Sequence, residues 1–266
     1  MEMTDLTKYG PWAVIAGGSE GVGAEFAHQL AQSGFNLVLI ARKPGPLEAT
    51  AQRCRETGAE VRTVAVDLLD PQSVSHITAQ TSDVEVGLLI YNAGASTCNE
   101  LFLETDLSEF QKVTDLNVTR MLEIVQHYGR PMAARGRGGI MIVGSLSGYM
   151  GAWRHTIYAG AKAFSRIFAE SLWLELREHN IDVLELVLGV TRTPAMERIG
   201  LNFDAPGIVV NEPAEVAAEG LSHLGDGPVW VAGGNGPQAL ANSAPDRSRV
   251  VLETHEAIKA LIAGVH

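Results

Sequence analysis

Seven short, almost uninterrupted apolar runs alternate with longer stretches of helical periodicity, and this rhythm limits the chain to few architectures. The runs are Trp12–Ala16, Asn36–Ile40, Arg62–Val66, Gly87–Tyr91, Ile140–Val143, Asp182–Leu188 and Val229–Ala232. Most lack the polar alternation of a half-exposed strand, so both of their faces must be covered. Helical stretches near residues 22–33, 46–57, 71–80, 107–129 and 157–179 supply that cover. The expected fold class is α/β, a doubly wound parallel sheet of seven strands with helices on both faces. No repeat or low-complexity linker interrupts the 266 residues, and a single domain over 1–266 is expected. Within it, residues 192–211 carry Pro194, Pro206 and Gly207 and read as an irregular insertion of lid size. Beyond Gly236 the chain is expected to end in a helix, with Ser243 and Asp246 spaced as a capping box.

Ala16-Gly17-Gly18-Ser19-Glu20-Gly21-Val22-Gly23 follows the first strand and opens a helix. Glycine admits positive φ and lets backbone come close to a pyrophosphate, while a helix N-terminus offers free N–H groups and the positive end of a dipole. Gly17, Ser19, Gly21, Val22 and Gly23 are therefore candidates for a dinucleotide cradle at the first strand-to-helix junction. The same residues spell the G-x-S-x-G elbow of a serine hydrolase, with Ser19 as nucleophile and Asp226 and His255 following in order. Only sixteen residues precede Gly17, too few to build the earlier strands that an oxyanion loop requires. The second strand ends in Ala41-Arg42-Lys43. An acidic residue there would bind the ribose diol of NAD(H); two cations suit the 2′-phosphate of NADP(H), so NADP(H) is expected to be preferred and NAD(H) possible. A solvated charge pair is the plainer reading of Arg42 and Lys43. Asp67, followed by Leu68, either bonds the adenine amino group or simply shapes the turn after the third strand.

Tyr158-Ala159-Gly160-Ala161-Lys162 sets a phenol and an ammonium one helical turn apart. A phenol with pKa ~10 is a poor acid–base at neutral pH, and an adjacent Lys⁺ favours the phenolate. The pair can give a proton to a carbonyl oxygen or remove one from an alcohol. Ser145 follows the strand Ile140–Val143 at its carboxyl end, the edge where ligands bind in open α/β sheets. Its hydroxyl could hold the substrate oxygen, or merely form a turn. His155, one turn before Tyr158, reads as a surface histidine more readily than as a substrate contact.

Composition trims the alternatives. Lys plus Arg number 20 against 31 Asp plus Glu, a net charge of −11 that argues against nucleic acid and against an anionic membrane surface. The opening Met1–Asp5 is polar and acidic, unlike a signal peptide, and no apolar run approaches the ~18–20 residues that span a bilayer. Two cysteines, Cys54 and Cys98, suit a reducing cytoplasm. Eight histidines without His-x-x-x-His spacing point to no metal site.

Taken in order, these residues resemble the short-chain dehydrogenase/reductase superfamily from Lys8 to about Gly234. The glycine motif corresponds to Gly17, Gly21 and Gly23, and the Asn-Asn-Ala-Gly strand end to Tyr91-Asn92-Ala93-Gly94. The helix asparagine corresponds to Asn117, the serine to Ser145, and the Tyr/Lys pair to Tyr158 and Lys162. The Pro-Gly segment with its downstream threonine corresponds to Leu188-Gly189-Val190 and Thr193. Lys8–Ala13, Arg135–Gly138 and Ala161–Phe164 resemble the branch of 17β-hydroxysteroid dehydrogenases and long-chain 3-oxoacyl reductases. The resemblance implies a Rossmann-type domain that moves hydride between NADP(H) and a ketone or secondary alcohol on a hydrophobic, steroid-like or acyl-chain-like substrate. It assigns Asn117 to a water-borne proton relay through Lys162, Lys162 also to the nicotinamide ribose, and Thr193 to the carboxamide; Asn92, Ala93, Gly94 and Val190 line the cofactor. Relatives pair the helices near 107–129 and 157–179 between subunits, which implies a homodimer or homotetramer. Ala16, Tyr91 and Leu188 depart from the family pattern, and Glu20 stands where many NADP-preferring relatives have a cation. An idle Rossmann-type nucleotide sensor is the alternative from another class, although it would not need the Asn117–Ser145–Tyr158–Lys162 set.

Overall fold

In the computed structural model, residues 6–204 and 208–263 are described, with side chains up to residue 256. Seven strands form one parallel sheet: β1 (Trp12–Ala16), β2 (Asn36–Ala41), β3 (Val61–Ala65), β4 (Val86–Tyr91), β5 (Gly138–Ser145), β6 (Ile181–Leu188), and β9 (Val229–Val231). Two further two-residue strands, β7 (Val190–Thr191) and β8 (Val210–Asn211), pair with each other. The sheet order is β3-β2-β1-β4-β5-β6-β9. Every residue of β1 and β4 is buried, as their apolar sequences require of strands covered on both faces.

One layer is α1 (Gly21–Gln32), α2 (Pro44–Arg55) and α8 (Pro213–Ser222). The apolar side chains of α1 and α8 join Ile15, Leu39, Leu88 and Leu184 in one core cluster. The opposite layer comprises α3 (Ser73–Thr81), α4 (Leu107–Thr114), α5 (Arg120–Arg135) and α6 (Thr156–Leu176). Met121, Ile124, Val125 and Ala169 there meet Val14, Leu89 and Ile142. The short α7 (Pro194–Arg198) follows β7, and α9 (Gly236–Asn242) and α10 (Arg247–Ala263) follow β9. No helix among the described residues is long and apolar enough to cross a membrane.

Four expectations need correction. The helical stretch 107–129 is two α-helices joined by one π turn, Asp115–Thr119, which apolar periodicity does not reveal. Helix α8 was not anticipated; it starts on Pro213 and presents Val216, Ala217 and Leu221 inward, with Gly220 so close to Leu186 that a Cβ would lie 2.5 Å from its Cδ2. The segment 192–211 is less irregular than its prolines suggest: it leaves β7, forms α7 and returns through β8, while its Pro206 and Gly207 lie outside the described residues. Ser243 and Asp246 do not form one capping box. Ser243 closes α9 by donating to the Ala239 carbonyl, and Asp246 accepts from the Arg249 N–H at the start of α10.

On α6 the apolar side chains divide into two sets. Phe168, Leu172, Trp173 and Leu176 pack against the core, whereas Phe164, Ile167 and Leu174 are exposed, as is Leu107 on α4.

The amino edge of the sheet is set by Tyr9, which is fully buried against β4 and β5. Its hydroxyl donates to Asp182 at 2.5 Å. A Cβ on Gly87 would lie 1.8 Å from the Tyr9 carbonyl oxygen, a backbone atom that cannot swing away. Gly87→Ala is therefore expected to lower stability by about 1–3 kcal/mol or more. Urea unfolding would show this as a lower midpoint at similar slope, and an unchanged midpoint would contradict the packing described.

Candidate active site

Strand order reverses between β1 and β4, so the turns leaving their carboxyl ends part and open a crevice, the usual ligand site of an open α/β sheet. Ala16 and Tyr91 stand opposite each other in the last register pair, and Gly17 and Asn92 follow them. Gly17 adopts φ +84°, and a Cβ there would sit 3.0 Å from the Ala93 backbone. At Gly23 a Cβ would fall 1.9 Å from the Gly17 carbonyl oxygen, so α1 can begin this close to the turn only with glycine. Asn92 ties the two turns together, donating from Nδ2 to the Gly17 carbonyl at 2.9 Å. Val22 is buried, and the Ser19 carbonyl accepts from Thr50 Oγ1 at 3.0 Å. The Gly17–Gly23 turn is thus a shallow backbone cradle at a helix N-terminus, a shape that fits a pyrophosphate.

At the outer end of this crevice, Arg42 lies 4.0 Å from Asp67. Asp67 also accepts from the Leu69 N–H at 3.0 Å, so it shapes the turn after β3 as well as facing a cation. The Leu68 carbonyl accepts from Arg120 Nε at 2.8 Å, which anchors that turn to α5. Glu20 does not face Arg42 and Lys43 unopposed. Arg198 of α7 donates to both of its carboxylate oxygens, and this guanidinium holds the Glu20 carboxyl below the usual range. Thr193 begins α7, its Oγ1 accepting from the Met196 N–H, and its methyl comes within 3.0 Å of where a Cβ on Gly21 would be. Val190 sits in the β7–β8 pair beside Val210.

The four candidate catalytic residues converge inside the same crevice. Ser145 ends β5, its hydroxyl accepting from the Ser147 N–H at 3.2 Å and lying near enough to the Tyr158 phenol to favour the phenolate. Lys162, one turn further along α6, is buried and donates to the Val143 carbonyl at 2.9 Å; its Nζ is 5.7 Å from the Tyr158 ring centre. Asn117 lies in the π turn and donates to the carbonyls of Ala95 and Val113, both at 2.9 Å. Its Oδ1 is buried without a protein donor. A Cβ on Gly94 would stand 2.6 Å from both Asn117 Oδ1 and Lys162 Nζ, which locates all three residues at one point.

The electrostatics depart from the simple expectation for a Tyr/Lys pair. Burial pushes the Tyr158 phenol above its ordinary value, and the hydrogen bond from Ser145 opposes that rise. Burial likewise lowers Lys162, while the Glu185 carboxyl beneath it acts the other way. The hydrolase reading fails on position. Asp226 pairs with His223 at 2.7 Å, near Tyr9 at the amino edge, and His255 packs against Trp153, so neither attends Ser19.

Three residues gained importance only from the structure. Tyr91, which departs from the family pattern, donates its hydroxyl to the Leu116 carbonyl at 2.5 Å and so fixes the π turn at the residue before Asn117. Arg198 is 178 residues from its partner Glu20, a separation that no sequence signal bridges. Glu185 could have been noticed as the one carboxylate in the middle of an otherwise apolar strand, Val183-Leu184-Glu185-Leu186-Val187.

A family model described as short chain dehydrogenase matches residues 11–202. A very-long-chain 3-oxoacyl-CoA reductase of Podospora anserina is 35% identical over 203 residues, covering 73% of this chain but 59% of that protein. A 7beta-hydroxysteroid dehydrogenase of Clostridium sardiniense is 27% identical over 246 residues, covering 92% and 94%. Among solved structures, one of a 7beta-hydroxysteroid dehydrogenase superposes with a TM-score of 0.86 at 26% identity, covering 94% of this chain and 99% of that one. A short-chain dehydrogenase from Sphingobium yanoikuyae in complex with NADPH gives a TM-score of 0.76 at 29% identity, covering 86% and 92%. The fold agrees with these matches. The chain belongs to the short-chain dehydrogenase/reductase family, whose members are NAD(P)-dependent oxidoreductases of CH–OH and C=O groups.

Proposed function

We propose that the protein moves hydride between NADP(H) and a ketone or secondary alcohol borne by a hydrophobic molecule, steroid-like or acyl-chain-like. The observation that carries this reading is the meeting of Asn117 and Lys162 at Gly94, with Tyr158 beside Lys162 and Ser145 beside Tyr158. The nicotinamide exchanges the hydride; the chain's own residues handle the proton. Ser145, which favours the Tyr158 phenolate, holds the substrate oxygen beside the phenol. Tyr158 gives that oxygen a proton in reduction and takes it back in oxidation. Lys162, held to the Val143 carbonyl, binds the ribose hydroxyls and keeps a cation behind the phenol. Asn117 Oδ1 is the acceptor left free for the water of a proton relay. Gly17, Ser19, Gly21, Val22, Gly23 and Asn92–Gly94 hold the diphosphate and its surroundings. Asp67 and Leu68 face the adenine, and Val190 and Thr193 the nicotinamide. A hydrophobic substrate is supported by the names of the relatives and by exposed Trp153, Ile199 and Val209 on the segments flanking Tyr158 and Thr193. We further propose that the whole chain acts as one domain, with residues 192–211 as its substrate cover. Free Cys54 and Cys98 support a reducing, cytoplasmic setting.

Tyr158→Phe keeps the ring and removes the proton. It should reduce turnover by about 10²–10⁴-fold while NADPH binding stays within a few-fold. Retention of more than about a tenth of the activity would remove Tyr158 from this role; a nucleotide sensor would show no carbonyl-dependent NADPH consumption in the wild type either.

The cofactor preference follows from charge. Arg42 and Lys43 suit a 2′-phosphate, and of the two carboxylates beside them, Glu20 and Asp67, Arg198 neutralises Glu20. Catalytic efficiency with NADPH should exceed that with NADH by at least about tenfold, or about 1.4 kcal/mol. Arg198→Ala should shrink the ratio by freeing Glu20, without a matching loss in NADH turnover. Equal efficiencies in the wild type would overturn the reading of Arg42 and Lys43.

Exposed Phe164, Ile167 and Leu174 on α6 form a face that a second copy would cover. Sedimentation at micromolar concentration should show a dimer or tetramer, and Ile167→Glu should weaken it by placing an unpaired charge in the contact. A monomeric wild type would refute the interface.

A further inference from the structure

Directly behind the proton-transfer residues lies a carboxyl group that the reaction scheme does not use. Glu185 stands in the middle of β6, 1% exposed. Its side chain runs under β5 at Gly144, where a Cβ would lie 2.6 Å from the carboxyl, so only glycine leaves room for it there. Its Oε1 is 2.6 Å from Ser165 Oγ, and its Oε2 is buried with no hydrogen-bond partner. Ser165 Oγ is also 2.9 Å from the main-chain carbonyl of Lys162. That same carbonyl abuts the turn after Ser145, since a Cβ on Gly148 would come within 2.8 Å of it. Glu185, Ser165 and the backbone of Lys162 thus form a clamp between the sheet, α6 and the Ser145 turn.

Counting hydrogens decides the state of the clamp. Ser165 has one hydroxyl hydrogen and faces two acceptors, the Lys162 carbonyl and Glu185 Oε1. If Glu185 were a carboxylate, one hydrogen would have to serve both, and the buried Oε2 without a donor would share a negative charge, where the neutral acid leaves it an uncharged carbonyl oxygen. If Glu185 carries a proton, it donates to Ser165 Oγ, and Ser165 donates to the Lys162 carbonyl. Each polar contact then has its own hydrogen.

We propose that Glu185 is a positioning residue of the proton-transfer site: a neutral carboxylic acid that pins the Lys162 turn of α6 through Ser165 and leaves the ammonium charge uncancelled from behind. This rests on the assignment of Lys162 and Tyr158 to proton transfer. The charged or titratable groups facing Glu185 are Lys162, Arg166 and Glu170 on α6 and Tyr149 on the turn after β5. Its strand neighbours Ile142 and Gly144 on β5 and Val229 on β9 carry no charge. Burial raises the Glu185 carboxyl above its usual range, and the Ser165 hydrogen bond, then Lys162 and Arg166, only partly oppose that. Ionisation at higher pH would set a carboxylate behind Lys162, drawing on its charge and raising the phenol in turn.

Infrared difference spectra test the protonation directly. Wild type against Glu185→Gln at about pH 6, where ordinary carboxyl groups are already ionised, should show the carbonyl stretch of a protonated acid, shifted by deuterium exchange. Should the variant not fold, wild type at about pH 6 against about pH 9 carries the same band. The profile of kcat against pH for alcohol oxidation should contain a break above the ordinary carboxylate range that Glu185→Gln lacks. Glu185→Leu, which cannot donate, should lower kcat about three- to tenfold with little change in the cofactor KM, and Gln should recover most of that loss. A carboxylate signature for Glu185 throughout this range, or a Gln profile superimposable on the wild type, would overturn the proposal. The infrared band does not depend on turnover, so an active Tyr158→Phe would dismiss the tyrosine's role without touching this result.

Discussion

The contact of Gly23 with the Gly17 carbonyl is the point on which the rest of the site is built. It lets α1 start against the turn of β1, so that the free N–H groups of the helix face the crevice rather than solvent. Asn92 adds the second tie by donating to the same Gly17 carbonyl from the end of β4. Two turns that diverge at the reversal of strand order are thereby locked into one surface. Everything downstream inherits that geometry. Gly94 follows Asn92 by two residues, and it is Gly94 that marks where Asn117 and Lys162 meet. A side chain at Gly17 or Gly23 would first move the helix and then, through Asn92, displace the catalytic end of β4.

The departures from the family pattern read differently once the contacts are known. Tyr91 takes the place of an asparagine, yet its hydroxyl reaches the Leu116 carbonyl in the π turn. A π turn leaves backbone carbonyls without their usual helical partners, and a buried one needs a donor. Tyr91 supplies it from the neighbouring strand, and its burial is consistent with a phenol raised well above its ordinary value. Glu20 looked like an obstacle to a phosphate when read alone. With Arg198 on it, it becomes the link between the phosphate cradle and α7, the first element of the segment that leaves β7. An exposed pair of this kind contributes little to stability, but it offsets the negative charge that Glu20 places beside the Gly17–Gly23 turn.

The sheet was legible because its strands are buried on both faces, and such strands write themselves as continuous apolar runs. The cradle and the Tyr158–Lys162 pair were legible because each lies within a few residues of sequence, where glycine freedom and helical spacing act locally. What stayed hidden depends on contacts between distant segments. The π turn at Asp115–Thr119 interrupts no apolar pattern, since Phe110, Val113, Met121 and Ile124 all remain buried around it. Helix α8 is short and carries Gly220, a poor helix former whose value lies in its fit against Leu186. Its Glu212-Pro213 start, with proline in the first turn, was the signal available. Trp173 packs inward although its neighbour Leu174 is exposed, because the helix meets the sheet along a broader face than one stripe.

Lys162 and Glu185 show why a family motif does not exhaust the chemistry of a site. A lysine in water is a strongly screened charge several ångströms from its phenol, and it would alter that phenol little. Burial removes the screening, yet it also disfavours the ammonium itself, so the charge persists only where dipoles and carbonyls replace its water. Here the Val143 carbonyl serves that purpose from above. A carboxylate from below would stabilise the ammonium further but would cancel the field that makes it useful. A neutral acid in the same place keeps the packing and the hydrogen bond to Ser165 while leaving that field directed at Tyr158. Whether the chain can hold a lysine charged, buried and uncancelled thus depends on one proton on the strand beneath it.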